Sequence, residues 1–260
     1  MSTTITFINQ KGGVGKTSLS FNFGIGLANY KSKVLFVDMD PQCNLSYVMR
    51  AYKPEFTIYD LLLDNTIGQA AIFHAPEGDI IPGSDMLSTL DYSLPQENRE
   101  SYLRNALETV KDLYDYIIID SPPTLGTVTV NILTAADQVI IPVLPDVFGI
   151  QGIGQLYKTI AAVRNNCNNA LKITGIVMVR YSDKHQLSKK IETALKTTAE
   201  KMKCKLFNSC ISESSIMSES QACRMSVFQY APKSKLKEEF NQFIFEYLRE
   251  EIKYYYIGND

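Results

Sequence analysis

Short apolar runs that recur along the chain constrain its fold more than any other feature. Unlike strands with one solvated face, they show almost no alternation, which is typical of strands buried on both faces of a parallel sheet. The predicted strands are Thr4–Ile8, Val34–Asp38, Tyr116–Asp120, Gln138–Val143, Ile173–Val179 and Lys205–Ile211. The predicted helices lie near 16–30, 98–112, 149–166, 186–203 and 234–252. The alternation predicts an α/β fold with a doubly wound, mostly parallel sheet flanked by helices, and residues 1–260 as a single domain.

Composition excludes several classes of protein. The net charge of −2 on 260 residues gives no overall basicity that would indicate nucleic acid. The five cysteines include no C-x-x-C pair, so we expect free thiols in a reducing compartment rather than a disulfide framework or a zinc site. No signal peptide is visible and the apolar runs are too short to cross a bilayer, so a soluble cytoplasmic protein is expected.

A glycine-rich stretch follows the first predicted strand and leads into the first predicted helix. Residues 10–18 read Q-K-G-G-V-G-K-T-S and match the phosphate-binding pattern G-x-x-x-x-G-K-[ST], except that Gln10 replaces the first glycine. Backbone N–H groups of such a loop, with the start of the following helix, attract phosphate. Lys16 would contact the β- and γ-phosphates, and the Thr17 hydroxyl would ligate Mg²⁺. The predicted ATP-binding residues are Lys11, Gly12, Gly13, Val14, Gly15, Lys16, Thr17 and Ser18.

Three carboxylates fall at the ends of predicted strands. Asp120 ends the run Y-I-I-I-D. In phosphate-binding enzymes, a carboxylate at the end of a hydrophobic strand holds Mg²⁺ directly or through a water. Asp38 and Asp40 are two residues apart, so in an extended segment they point the same way and repel each other unless a cation or water lies between them. Because ligands bind beyond the carboxyl ends of parallel strands, we expect all three carboxylates beside the glycine-rich loop.

Together the three motifs resemble those of one family. K-G-G-V-G-K-T, V-D-M-D-P-Q-C-N and I-I-I-D-S-P-P resemble the ParA/Soj branch of the deviant Walker-A ATPases, P-loop NTPases that segregate plasmids and bacterial chromosomes. The likeness extends over nearly the whole chain and includes A-P-K-S-K at 231–235. It implies an ATPase that uses ATP and Mg²⁺.

The resemblance accounts for the second lysine of the loop. In ParA-like proteins two ATP-bound protomers face each other, and the lysine that matches Lys11 reaches the phosphates of the partner. The other implied roles are phosphate binding by Lys16, Mg²⁺ binding by Thr17 and Asp120, positioning of the attacking water by Asp40, and support of that network by Asp38. Hydrolysis would then require an ATP-dependent homodimer and stay slow until a ParB-like centromere-binding partner stimulates it. Lys11, Lys16 and Asp40 are the implied catalytic residues.

A lysine-rich segment at 184–205 is the candidate DNA-binding face. It holds seven lysines against two glutamates, and in a helix from about residue 186 three of the lysines recur every seven residues. Charge alone favours an ordinary solvated helix face. The family, whose members bind DNA without sequence preference through basic C-terminal surfaces, favours DNA and a nucleoid-associated location. The predicted DNA-binding residues are Lys189, Lys190, Lys196 and Lys203, with Ile191, Leu195, Ala199 and Met202 facing the core.

The chain departs from the family in two places. Residues 211–220, I-S-E-S-S-I-M-S-E-S, stand where relatives have a stretch like I-P-R-N-V-R-L-S-E-A, with Glu213 at the first arginine position. That stretch lies near the adenine and the dimer edge in relatives, so the adenine contacts and part of the DNA surface are expected to differ. The sequence also starts directly at the first strand, so we expect no extra N-terminal domain and no direct autorepression.

Several alternatives share the phosphate loop. A MinD-like membrane-associated switch would end in an amphipathic basic helix, but the polar side of the predicted last helix is acidic, which favours packing against the core. A bacterial tyrosine kinase would fit the C-terminal K-Y-Y-Y but not D-P-Q-C-N, and an iron–sulfur relative would need paired cysteines. An ATP-binding scaffold with little hydrolysis is disfavoured by the presence of Lys11, Lys16 and Asp40. Membrane is therefore not expected as a partner.

Overall fold

The centre of the molecule is a sheet whose strands carry apolar side chains on both faces. The computed structural model describes residues 2–181 and 186–257, without the side chains at 147, 148, 151, 186–190, 250 and 252–257. Its strands are β1 (Thr3–Phe7), β2 (Val34–Asp38), β3 (Phe73–Ala75), β4 (Gly78–Ile81), β5 (Tyr116–Asp120), β6 (Gln138–Val143), β7 (Lys172–Tyr181) and β8 (Lys205–Ser212). Its helices are α1 (Lys16–Asn29), α2 (Asn44–Val48), α3 (Ile58–Leu63), α4 (Leu90–Ser93), α5 (Tyr102–Glu108), α6 (Thr127–Ala135), α7 (Val147–Asn166), α8 (Gln186–Lys201), α9 (Ser215–Ala222), α10 (Val227–Tyr230) and α11 (Lys235–Ile257).

The strands form one sheet in the order β3-β4-β2-β5-β1-β6-β7-β8. Neighbouring strands are parallel except for the β3–β4 pair, which is an antiparallel edge hairpin. From the central β1 the chain forms β2, β3 and β4 on one side, returns to insert β5 between β1 and β2, and then adds β6, β7 and β8 on the other side, as in a doubly wound fold. The predicted fold class is confirmed.

Burial on both faces explains why the strand sequences do not alternate. In β2, Val34 and Phe36 pack in one cluster with α1 and α11, whereas Leu35 and Val37 pack in a second cluster with α3 and α5. A third cluster holds α7 and α8 against β6 and β7. The relation between apolar runs and a parallel sheet therefore holds in the structure.

Some predicted boundaries and elements differ from those observed. The β3–β4 hairpin was not expected from the sequence; its strands are only three and four residues long. The helix predicted at 98–112 is α helical only over Tyr102–Glu108, between two 3₁₀ turns. Helix α8 ends at Lys201, two residues earlier than predicted.

The last helix packs into the core, as its acidic polar face indicated. Phe240, Phe243 and Tyr247 of α11 are completely buried against α1 and β8. Glu246 accepts hydrogen bonds from the backbone N–H groups of Asn208 (3.0 Å) and Ser209 (2.9 Å), so this acidic side chain caps the exposed edge of β8. Among the described residues, no helix combines the length and the apolar composition that crossing a membrane would need.

The register of the sheet aligns the strand ends that matter for function. Asp38 at the end of β2 lies beside Asp120 at the end of β5, which lies beside Phe7 at the end of β1. The glycine-rich loop leaves β1 at this same edge. The sheet alone therefore brings the loop and two of the three candidate carboxylates together.

Candidate nucleotide-binding site

The glycine-rich loop has the backbone conformation of a phosphate cradle. Gly13 (φ 73°) and Gly15 (φ 83°) are left-handed, a conformation that most other residues adopt only with strain. A Cβ added at Gly12, Gly13 or Gly15 would meet no atom within 4 Å, so these glycines border open space. Gly15 caps α1 without a side-chain hydrogen bond, which leaves the first N–H groups of the helix to an external acceptor.

Lys16 lies at the bottom of this cradle. It is only 7% exposed, and burial lowers the pKa of its ammonium group, while the charges of Asp120 and Asp40 oppose that shift. A desolvated ammonium at the start of a helix attracts an anion, and the nearby carboxylates of Asp120 and Asp40 help to keep that ammonium charged. The position therefore suits a phosphate group.

Asp120 is the carboxylate with an unused oxygen. It is completely buried, and burial, reinforced by the charge of Asp38, raises its pKa, while the Thr17 side chain and Lys16 act in the opposite direction. Its Oδ1 accepts from the backbone N–H of Ser121 (3.1 Å), but among the described residues its Oδ2 has no hydrogen-bond partner. A buried carboxylate oxygen without a partner, next to the Thr17 hydroxyl, fits the two protein ligands of a Mg²⁺ ion.

Asp38 holds structure rather than facing the cleft. Its Oδ2 accepts from the backbone N–H (2.8 Å) and the hydroxyl (2.7 Å) of Ser46, and its Oδ1 accepts from the backbone N–H of Asp40 (3.2 Å). Burial raises the pKa of its carboxyl group, and the hydrogen bonds from Ser46 counteract this. Asp38 therefore anchors α2 to the end of β2, which is consistent with the supporting role inferred for it.

Asp40 lines a cleft together with the loop. The cleft has a volume of about 580 Å³, and its walls include Gly13, Lys16, Thr17 and Tyr47. Asp40 is 7% exposed, and its Oδ1 accepts from the backbone N–H of Gln42 (3.0 Å). Among the described residues, no three His, Cys, Asp or Glu side chains converge as a metal site, so a cation here would need ligands from a bound phosphate as well.

Lys11 lies at the rim and pairs with a residue that the sequence analysis did not identify. Its Nζ is 2.6 Å from Asp146 Oδ2, and the two side chains are 32% and 37% exposed. Asp146 also caps α7, because its Oδ1 accepts from the backbone N–H of Gly149 (2.7 Å). Its position just past β6, at the same carboxyl edge as the other carboxylates, is the signal that could have revealed it.

A second cleft of about 320 Å³ adjoins the first. The divergent segment at 211–220 lines it through residues that include Glu213 and Met217, and Val14 and Arg180 also line it. Gln221 borders both clefts and donates from Nε2 to the hydroxyl of Ser18 (2.6 Å). The divergent segment thus lies beside the glycine-rich loop.

Among the described side chains of the lysine-rich helix α8, none lines either cleft. Ile191, Leu195, Ala199 and Met202 are 0–5% exposed and face the core. Lys196 is exposed and pairs with Glu192 at 2.8 Å. Lys203 is exposed too, but lies beyond the end of α8 with φ 55°, so the predicted stripe does not continue along one helix. The side chains of Lys189 and Lys190, and the whole of Lys184, lie outside the described residues.

Comparison with known proteins identifies the class to which this fold and site belong. Residues 2–173 match the family model described as an AAA domain. The sporulation initiation inhibitor protein Soj of Bacillus subtilis is 35% identical over 92% of this chain and 96% of its own length. The chromosome-partitioning ATPase Soj of Treponema pallidum is 36% identical over 88% of this chain and 90% of its own. The chain belongs to this AAA-domain family and is a ParA/Soj-type partition ATPase of the ParA/MinD superfamily.

Solved structures share this fold. A Mycobacterium smegmatis protein described as cobyrinic acid a,c-diamide synthase, with bound ADP and magnesium, superimposes with a TM-score of 0.82 at 28% identity and covers 96% of this chain and 95% of that one. The cell division ATPase MinD of Pyrococcus furiosus superimposes with a TM-score of 0.79 at 23% identity, covering 96% of this chain and 99% of that one. The MinD likeness shows a shared fold.

Proposed function

We propose that the chain is an ATP-driven DNA partition ATPase that dimerises on ATP, binds DNA without sequence preference and is released when a partner stimulates hydrolysis. The observation that carries this proposal is the meeting, at one edge of the sheet, of an uncapped glycine-rich helix start, a buried lysine and a buried carboxylate with a free oxygen. Residues 1–260 act as one ATPase domain.

The two adjoining clefts divide the nucleotide between them. Backbone N–H groups of the loop from Lys11 to Ser18, with the start of α1, bind the phosphates, and the buried Lys16 ammonium neutralises their charge. The smaller cleft beside the divergent segment receives the base. ATP is the expected nucleotide because relatives of this chain are partition ATPases.

Mg²⁺ is the expected cofactor, and the residues present fit it. The Thr17 hydroxyl and Oδ2 of Asp120 would hold it, with Asp40 close by through water, whereas both oxygens of Asp38 are occupied by hydrogen bonds from Ser46 and Asp40. The similar Mycobacterium smegmatis structure contains ADP and magnesium. When bound, the ion would stabilise negative charge on the phosphate oxygens.

Hydrolysis needs a positioned water and a compensating charge. Asp40 faces the cleft near Lys16, where its carboxylate accepts a hydrogen bond from the attacking water and orients it. Lys11, which lies at the rim and is 32% exposed, crosses to the phosphates of a second protomer. Because each site then lacks this charge until the partner arrives, hydrolysis depends on dimerisation.

DNA binding uses the lysine-rich surface around α8. Lys196 and Lys203 are exposed there, and Lys189 and Lys190 belong to the same segment. Phosphate contacts of this kind attract DNA without reading bases. A dimer would present two copies of the surface, which couples ATP binding to DNA affinity and places the protein on the nucleoid in the cytoplasm.

A ParB-like centromere-binding protein is the expected stimulating partner. A MinD-like protein that moves on a membrane or protein surface is the alternative with the same chemistry. Two features of α11 disfavour a membrane surface: Phe240, Phe243 and Tyr247 on its apolar face are buried in the core, and Glu246 accepts hydrogen bonds from β8.

The test is binding to random-sequence duplex DNA by gel shift, without nucleotide, with ADP and with ATP. Wild type should bind only with ATP, Asp40→Ala should bind more stably because ATP persists, and Lys16→Ala should not bind. The double variant Lys196→Glu/Lys203→Glu should lose DNA binding but should still bind nucleotide. Lys33→Glu is the matched control and should leave DNA binding unchanged, because Lys33 is exposed and precedes β2, which β5, β1 and β6 separate from β7 and β8.

Absence of DNA binding in every nucleotide state, with ATP-driven dimerisation intact, would overturn the DNA part of the proposal. Liposome binding would then be measured. A wild-type protein that neither binds nor hydrolyses ATP would overturn the whole proposed function.

A further inference from the structure

A stacked group of side chains joins the nucleotide cleft to the segment after α9. The guanidinium carbon of Arg224 lies 4.2 Å from the ring centre of Tyr47 and 5.2 Å from that of Tyr52. Its Nη2 also donates to the Tyr47 hydroxyl at 2.8 Å. A guanidinium that both stacks on a ring and donates to its hydroxyl fixes that ring in one orientation.

Tyr47 belongs to a helix that is too short to be stable by itself. Helix α2 has five residues, Asn44–Val48, too few for a stable isolated helix. Contacts with the rest of the molecule must therefore fix it. On the inner side these are the bonds from Ser46 to Asp38 and the buried side chains of Leu45 and Val48. On the outer side, where Tyr47 is 52% exposed, Arg224 contacts it.

A second bond joins the same two segments. Arg50 Nη2 donates to the backbone carbonyl of Cys223 at 3.1 Å. Arg50 (φ 61°) and Arg224 (φ 55°) both have left-handed backbones, which are unfavourable for arginine. The two reciprocal arginine contacts offset that unfavourable conformation and make the link a defined feature of the fold rather than a chance approach of long side chains.

The link ends in the wall of the larger cleft. Tyr47 lines that cleft together with Lys16, Thr17 and Asp40, and Ala222 lines it next to the Arg224 segment. The turn that carries Asp40 and Gln42 leads directly into α2. Any displacement of α2 is therefore transmitted to Asp40, which is placed to orient the attacking water.

We propose that Arg224 is a positioning residue for ATP hydrolysis: by holding Tyr47 it fixes α2 and, through it, Asp40. This inference rests on the proposed function. Arg224 lies outside both clefts, so its loss affects hydrolysis and leaves nucleotide affinity nearly unchanged.

The test separates kcat from KM in steady-state ATP hydrolysis. Loss of a stacked cation and one hydrogen bond in Arg224→Ala should lower kcat roughly tenfold and leave KM within about twofold. Arg224→Lys keeps the charge without the planar stack and should be intermediate. Tyr47→Phe, which keeps the ring and loses the hydrogen bond, should lower kcat about two- to threefold. Arg249→Ala is the matched control, because Arg249 lies over Phe245 on α11, remote from both clefts, and should change nothing.

Each outcome decides between explanations. A kcat equal to wild type in Arg224→Ala, or a KM that rises in step with the loss of kcat, overturns the inference. A double variant at Arg224 and Tyr47 should be no worse than the worse single one, and additive losses would also contradict it. If Arg224→Ala does not fold, as judged by thermal melting, Tyr47→Phe alone carries the test. Wild type without any hydrolysis would overturn the proposed function instead.

Discussion

The ion pair between Lys11 and Asp146 makes a quantitative prediction about dimerisation. If Lys11 must reach the phosphates of a second protomer, it must first leave Asp146, and the energy of the pair opposes association. Asp146→Asn removes the charge and keeps an oxygen that can still accept from the N–H of Gly149 at the start of α7. The substitution therefore isolates the ion pair from the helix cap.

The magnitude follows from the exposure of the pair. Its side chains are 32% and 37% exposed, and ion pairs that are exposed to this degree contribute about 0.5–1 kcal/mol. A dimer breaks two such pairs, so Asp146→Asn should favour association by about 1–2 kcal/mol, which is roughly five- to thirtyfold in the dimer dissociation constant. Asp146→Ala also loses the cap and should cost about 1 kcal/mol of folding stability.

Sedimentation velocity with a non-hydrolysable ATP analogue measures the dissociation constant directly. Glu108→Gln is the matched control, because it removes a surface ion pair with Lys111 remote from the carboxyl edge and should leave dimerisation unchanged. A dimer constant for Asp146→Asn equal to or weaker than wild type would refute the reasoning. Lys11 would then keep its contact with Asp146 in the dimer or take no part in association.

Three further predictions concern the fold and its thiols. Glu246→Gln should lower the free energy of unfolding by about 1–2 kcal/mol at pH 7, measured in urea, because the carboxylate accepts from backbone N–H groups of β8. Burial alone would raise its pKa, but these bonds lower it below the usual 4.5, so the difference from wild type should fade as the pH falls through that lowered pKa; a constant difference would contradict this. Ser46→Ala should lower the stability by about 1–3 kcal/mol in a thermal melt, because it removes a bond to the buried Asp38, and an unchanged melt would contradict that anchor. Burial raises the pKa of Cys43 to about 11, so iodoacetamide at pH 8 should alkylate the exposed Cys223 first, and the reverse order by mass spectrometry would refute this.

The sheet and most of its nucleotide edge could be predicted from the sequence because their signals are local. An apolar strand buried on both faces is recognisable in one short run, as Tyr116–Asp120 illustrates. Functional carboxylates of parallel sheets lie at the ends of such strands, so the sequence alone predicts that Asp120 lies beside the glycine-rich loop.

The elements that sequence reasoning missed depend on contacts between distant segments. The strand β3 has three residues with no apolar run, and it exists because it pairs with β4 at the edge of the sheet. Helix α6, whose sequence T-V-T-V-N-I-L-T-A is rich in β-branched residues, was assigned to no element. It buries Ile132 and Leu133 against two separate core clusters, and this tertiary packing outweighs its weak helix propensity.

The roles of Asp38 and Asp40 show the same limit within the site. Their spacing predicts that they point together, yet Asp38 turns to Ser46 while Asp40 faces the cleft. The two carboxylates differ because α2 places Ser46, eight residues after Asp38, within hydrogen-bonding distance of Asp38. The spacing identified the pair of carboxylates but did not show which of them faces the cleft.

Burial, which the sequence does not reveal, also distinguishes the two lysines of the loop. Lys16 is 7% exposed and lies close to Asp120 and Asp40, so its ammonium is fixed where a phosphate of its own nucleotide would bind. Lys11 is 32% exposed and pairs with Asp146, which is 37% exposed, so breaking this ion pair costs little. A lysine meant for a second protomer must be accessible and weakly held, whereas one meant for its own site must be desolvated and rigid. If Lys11 serves a second protomer as proposed, the loop needs two lysines, because one side chain cannot satisfy both requirements.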